Sequence, residues 1–147
     1  MIIAQDLTDG NTDDARTALD LIDEVDGDMA SLTADAAYDT IAIYDAAAAR
    51  GARAIVPPRM SATRSNRSNP RDRTVRRIRK VGRRRWKKES GYHRQARVEN
   101  TFFKYKSILS DRLRARHPES QEAEALIACT ILNRMFELGR PKSFAVK

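Results

Sequence analysis

The stretch ASLTADAAYDTIAIYDAAAARGARAIV, residues 30–56, holds two short extended runs on either side of one alanine-rich helix. Residues 30–34 form a small-residue strand that delivers Asp35 at its carboxyl end. Asp39 or Thr40 then offers a side-chain oxygen to cap a helix over 41–50. Gly51 follows at the position just past a helix, where a left-handed backbone favours glycine. Residues 52–56 read as a second strand before Pro57 and Pro58. Strand, helix, strand predicts a parallel pair, and so an α/β fold.

Working outward, residues 1–7 are an apolar, β-branched run ending in Thr8, Asp9 and Gly10, which predicts a strand and its turn. Thr12 before Asp13 and Asp14 is a helix start, and Leu19, Ile22 and Val25 recur at helical spacing, so a helix is expected over 13–25, broken by Gly27. On the carboxyl side, residues 59–73 carry five arginines among Ser, Thr, Asn and Pro with no apolar periodicity and read as a loop. A basic helix over 72–80, the Arg83-Arg84-Arg85-Trp86-Lys87-Lys88 cluster and a long helix over 94–107 follow. The last helix starts near Pro118, shows an apolar stripe of Ala123, Leu126, Ile127, Thr130, Ile131 and Met135, and stops at Gly139 and Pro141. This divides the chain into an α/β portion at 1–58, a basic segment at 59–90, helices at 91–140 and a tail at 141–147.

A chain of 147 residues with 41% hydrophobic residues is about one domain long. No apolar run approaches the roughly 20 residues that span a bilayer and no signal-type start is present, so a soluble cytoplasmic protein without a membrane partner is expected. Cys129 is the single cysteine, which excludes an internal disulfide, and within its apolar helix it reads as a small buried hydrophobe. Charge is strongly asymmetric. Residues 1–50 hold 12 acids against Arg16 and Arg50, a net of −10, and the overall +8 then requires +18 from the rest. Between Arg59 and Arg116 stand 21 Lys or Arg and only Asp72, Glu89, Glu99 and Asp111, an excess of +17 that marks a polyanion partner, nucleic acid first. An anionic membrane would want a bulky apolar face that the basic stretch lacks.

Two places offer chemistry. Asp35 stands where parallel strands open onto ligands, although an acid there is more often a cap. Glu99 and Lys106, seven residues apart, share a helix stripe that Tyr92 joins if the helix reaches back, so a carboxylate would sit among the cations Arg94 and Arg97. That suits a hard cation beside phosphates; the plain alternative is charge balance on a solvated helix. Trp86 either stacks on an unpaired base or anchors the basic segment. His93 and His117 have no Cys or second His at ligand spacing, so zinc and copper are not expected.

Six segments occur in order: residues 34–40, Pro57-Pro58-Arg59, Arg71-Asp72-Arg73, residues 82–86, residues 91–106, and residues 132–141. Together they resemble the carboxyl-terminal part of the catalytic domain of bacterial insertion-sequence DDE transposases of the insertion-sequence-five-like group. The resemblance implies an RNase H-like fold in which two aspartates and a glutamate hold two Mg²⁺ or Mn²⁺ ions that drive cleavage and strand transfer of DNA. Asp35 then takes the place of the second aspartate and Glu99 that of the glutamate, both as catalytic residues and metal ligands. The family spaces a tyrosine, an arginine, the glutamate and a lysine as Tyr92, Gln95, Glu99 and Lys106 are spaced here; Gln95 replaces the arginine, leaving Arg94 or Arg97 to substitute, and Ala36 replaces a glycine. DNA contacts fall to Arg59, Arg83, Arg84, Arg85, Lys87, Lys88, Tyr92, Arg94, Arg97 and Lys106. The family's first aspartate, on the first strand, has no counterpart in this sequence. The resemblance therefore implies a truncated transposase lacking its first strand, or the second product of a split reading frame, with little activity alone. The implied partners are insertion-sequence ends, target DNA and a second transposase chain, at the nucleoid. The alternative is a non-catalytic DNA-binding fragment that modulates a full-length transposase.

Overall fold

The computed structural model describes residues 1–8, 11–63, 69–109 and 112–139, which divide into two compact units. Asp9, Gly10, Asp111, Pro141 and the tail, and the middle of the arginine-rich loop, lie outside the described residues.

The first unit runs from Thr8 to Asn100. It opens with α1 (Asp14–Glu24), capped by Asp13, whose carboxylate accepts from the Ala15 N–H at 2.9 Å. The cap is thus one residue later than the expected Thr12. After α1 come β1 (Ser31–Thr33), a 3₁₀ turn at Ala36–Tyr38, α2 (Ile41–Ala49) and β2 (Arg53–Ile55). The two strands pair in parallel, Ser31 opposite Arg53 and Thr33 opposite Ile55, as the strand, helix, strand reading predicts. Thr40, not Asp39, caps α2 through the Ile43 N–H, and Gly51 takes the left-handed φ of +67°.

Ile22, Ile43, Tyr44 and Val56 form the buried core, with Leu19, Met29, Leu32 and Tyr38 packed against it. Two polar anchors hold this core in register. The Tyr44 hydroxyl donates to the Val56 carbonyl at 2.9 Å. The Arg50 guanidinium donates to the carbonyls of Ile22, Val25 and Gly27, satisfying the acceptors that the end of α1 leaves open.

The basic segment is more helical than its composition suggests. Helix α3 (Pro70–Val81) begins inside the expected loop, with Asn69 capping the Asp72 N–H at 2.8 Å and Pro70 in the first turn. Asn followed by Pro is a start signal that the run of arginines hides. Gly82, at φ +81°, turns the chain directly into α4 (Arg83–Ser90), which takes up the whole basic cluster. Trp86 is 6% exposed, so it anchors α4.

A 3₁₀ turn at Tyr92–Arg94 leads into α5 (Gln95–Ile108), along which the division between units falls. The second unit holds residues 1–7 and the chain from Thr101 onward, including α6 (Pro118–Glu137). The expected strand over 1–7 is absent: the Ile2 N–H and carbonyl both pair with the Asn133 side-chain amide at 2.6 Å, which takes the bonds a neighbouring strand would have made. Within α6, Glu124 accepts from the N–H groups of Arg114 and Ala115 in the segment before the helix, and these bonds hold its carboxyl below the usual range.

The stripe expected on α6 is also displaced. Ala125, Ala128 and Leu132 are buried, whereas Leu126, Ile127, Ile131 and Met135 are exposed. Two alanines and Leu132 turn inward on this helix, and most of the other bulky residues outward. Cys129 is half-buried rather than buried, and that burial raises its thiol.

Candidate active site

Asp35 follows β1 directly and caps the 3₁₀ turn, with Oδ1 accepting from the Ala37 N–H at 2.7 Å. Its carboxylate is exposed, and Oδ2 has no hydrogen-bond partner among the described residues. The acid is therefore both the cap of the plain reading and an accessible carboxylate at a strand end.

The turn it caps is gripped from outside. The Arg59 guanidinium donates to the Ala36 and Ala37 carbonyls at 3.3 and 2.9 Å, and the Arg59 N–H donates to Asp39 Oδ2 at 3.0 Å. Asp39 is 6% exposed and receives Arg71 in a fork, Nε on Oδ1 at 2.8 Å and Nη2 on Oδ2 at 2.7 Å. Two parallel charge-assisted bonds set direction as well as strength. They also hold the Arg71 guanidinium above its ordinary range. From the sequence, Asp39 reads only as a possible cap. The signal that could have found the pair is an acid in one motif segment and an arginine in another, 32 residues apart.

Glu99 comes from the second turn of α5, a helix with no buried residue, and is exposed. Gly91, at φ +78°, starts the turn that places Tyr92 beside Trp86, ring centroids 6.1 Å apart, with Lys87 Nζ 5.0 Å above its ring. The Tyr92 phenol is pushed up by burial first, then by the charges of Asp35 and Glu99, with Arg83 opposing. Both acids, 64 residues apart in number, thus oppose ionisation of the same phenol.

The expected cations fall into different surroundings. Arg83 donates to the Pro58 carbonyl at 2.7 Å and Arg85 to Glu89 at 2.9 Å, so both are engaged within the unit, as is Arg59. Arg84, Lys88, Arg94 and Arg97 are exposed on α4, the turn and α5. Lys106 is exposed in the last turn of α5, in the other unit. Gln95, at the family's arginine position, has Oε1 buried with no partner among the described residues. No group of three His, Cys, Asp or Glu able to hold a metal ion occurs among the described residues. Nor is any helix among them long and apolar enough to cross a membrane.

Comparison with known proteins supplies the class. A profile match covering most of the chain places it among the DNA transposases, enzymes of nuclease type. The profile is that of the family described as Transposase DDE domain, matched over residues 1–134, and the chain belongs to that family. Membership makes transposition, a DNA recombination, the function class; the family generally uses divalent metals and acts on DNA. No solved structure matches the chain.

Proposed function

We propose that this chain supplies the second aspartate and the glutamate of a DDE transposase site, Asp35 and Glu99, within an RNase H-like catalytic domain of the insertion-sequence-five-like group. The observation that carries the proposal is Asp35 at the end of β1, exposed with Oδ2 open, within a matched transposase domain; the charges of Asp35 and Glu99, which both act to raise the Tyr92 phenol, support it. Carboxylate oxygens are hard donors and fit Mg²⁺ or Mn²⁺ in kind, with Asp35 Oδ2 open to a cation. A pair of such ions, when bound, activates the attacking oxygen and stabilises the leaving one.

The remaining roles belong to the chain itself. Arg59, held by Asp39, fixes the turn that aims Asp35. Tyr92 stays protonated at neutral pH, because burial and two nearby anions oppose its ionisation, and so keeps a hydroxyl to donate toward DNA. Arg84, Lys87, Lys88, Arg94, Arg97 and Lys106 are the cations for backbone phosphates. Two carboxylates make an incomplete ligand set, so a third acid must join from outside these residues, and the chain by itself cleaves weakly or not at all.

The test is Mg²⁺-dependent cleavage of insertion-sequence end DNA by the chain alone and with a transposase segment bearing the first aspartate. Activity is expected only in the mixture, and Asp35→Asn or Glu99→Gln should abolish it. Efficient cleavage by the chain alone overturns the incompleteness; full activity of either variant overturns the assignment. The +17 excess between Arg59 and Arg116 favours a second reading, a non-catalytic DNA-binding fragment that modulates a full-length transposase. That reading expects salt-sensitive binding without cleavage even in the mixture.

A further inference from the structure

A cavity of 570 Å³ opens at the start of β2, lined by Arg53, Arg73, Arg77 and Glu89, with Trp86 and Tyr44 among its walls. It runs along β2, whose three residues all line it. Three guanidinium groups against one carboxylate leave its lining positive. Arg53 donates to the Ser90 carbonyl. The Arg73 guanidinium, one turn before Arg77 on α3, has no hydrogen-bond or ion-pair partner among the described residues.

Glu89 is placed unusually for a surface acid. Arg77 donates to its Oε2 through Nε and Nη2 at 2.9 and 2.8 Å, and Arg85 donates to its Oε1 at 2.9 Å. One carboxylate is therefore gripped by two guanidinium groups from two helices, the geometry in which arginines also take a phosphate. All three side chains reach solvent, at 46%, 72% and 33% exposure for Arg77, Arg85 and Glu89. The ion pairs contribute little to stability at such exposure, and an incoming anion can reach them.

We propose that Arg73, Arg77 and Arg85 form a clamp for a phosphate of the DNA backbone, and that Glu89 occupies it until DNA displaces the acid. This rests on the DNA reading above and adds a place of contact and an internal competitor. None of these residues except Arg85 was expected to bind DNA from sequence. Removing the competitor should strengthen binding, an effect that damage to the fold does not imitate.

The experiment measures binding of a short duplex to the full chain by fluorescence anisotropy over a series of KCl concentrations. Glu89→Gln should bind several-fold tighter than the unaltered chain. Glu137→Gln, which frees Arg134 with the same change of charge, is the control and should gain much less. Arg73→Ala should bind more weakly and lower the log–log salt slope by about 0.9, the value of one phosphate contact. Glu89→Gln no tighter than Glu137→Gln, or Arg73→Ala with an unchanged slope, overturns the clamp while leaving the DNA reading intact. Displacement of duplex by inorganic phosphate beyond the effect of matched ionic strength reassigns the clamp to free phosphate and overturns the DNA assignment. No salt-dependent binding by the unaltered chain overturns both readings together.

Discussion

Asp35 and Glu99 carry the same functional group in opposite settings. Asp35 sits on a turn fixed by a backbone N–H from within, by Arg59 from outside, and by the buried Asp39–Arg71 pair behind it. Glu99 rides on a helix with no buried residue. In the proposed site one carboxylate is therefore fixed by hydrogen bonds to its turn, and the other is carried by its helix alone.

The largest expected effect that tests this contrast is on stability. Asp39→Ala leaves the partly buried Arg71 guanidinium without its carboxylate and should cost about 3 kcal/mol, whereas Glu99→Ala should fall within about 0.5 kcal/mol of the unaltered chain. Urea unfolding of the two variants gives the comparison, and equal losses would break it. Next, Tyr44→Phe removes the donor to the Val56 carbonyl and should cost about 1–3 kcal/mol by the same measurement.

A pH titration sharpens the same point. Burial pushes the Tyr44 phenol from 10.0 to about 12. Its contribution is therefore complete below pH 10 and is lost as pH rises toward 12, because the unfolded chain ionises first. Stability should fall over that window, and Tyr44→Phe should remove this part of the fall. The smallest effect concerns Tyr92: Asp35→Asn and Glu99→Gln should each lower its titration midpoint, read by ultraviolet absorbance. A midpoint unmoved by either variant would remove that acid from the hydroxyl's surroundings.

The parallel strand, helix, strand unit is legible because its signals are local: a capping oxygen before Ile41, a glycine after Arg50, alternating small and branched residues on both sides. The strand expected over 1–7 fails for a non-local reason. Extended residues need a partner strand, and here the Asn133 amide supplies the bonds instead. On α6 the helical period holds but points to the wrong side, since bulk is a poor mark of burial where Ala125 and Ala128 face inward. At the proposed site, Asp35 and Glu99 are singled out in the sequence through the family's motifs and spacing. The clasp of Asp39 by Arg71 and the engagement of Arg83 and Arg85 depend on contacts across the fold that no spacing encodes.

Arg50 has a consequence beyond closing α1. With its guanidinium committed to three backbone carbonyls, Arg16 is the other basic side chain among the first 50 residues to set against 12 acids. Within the first unit, the acidic half before Arg50 repels a polyanion while α3 and α4 attract it. A polyanion is thus expected to approach the unit by way of α3 and α4. Such guidance acts on the rate of arrival more than on the strength of the complex, and it fades as added salt shortens the reach of charge to about 10 Å at 0.1 M.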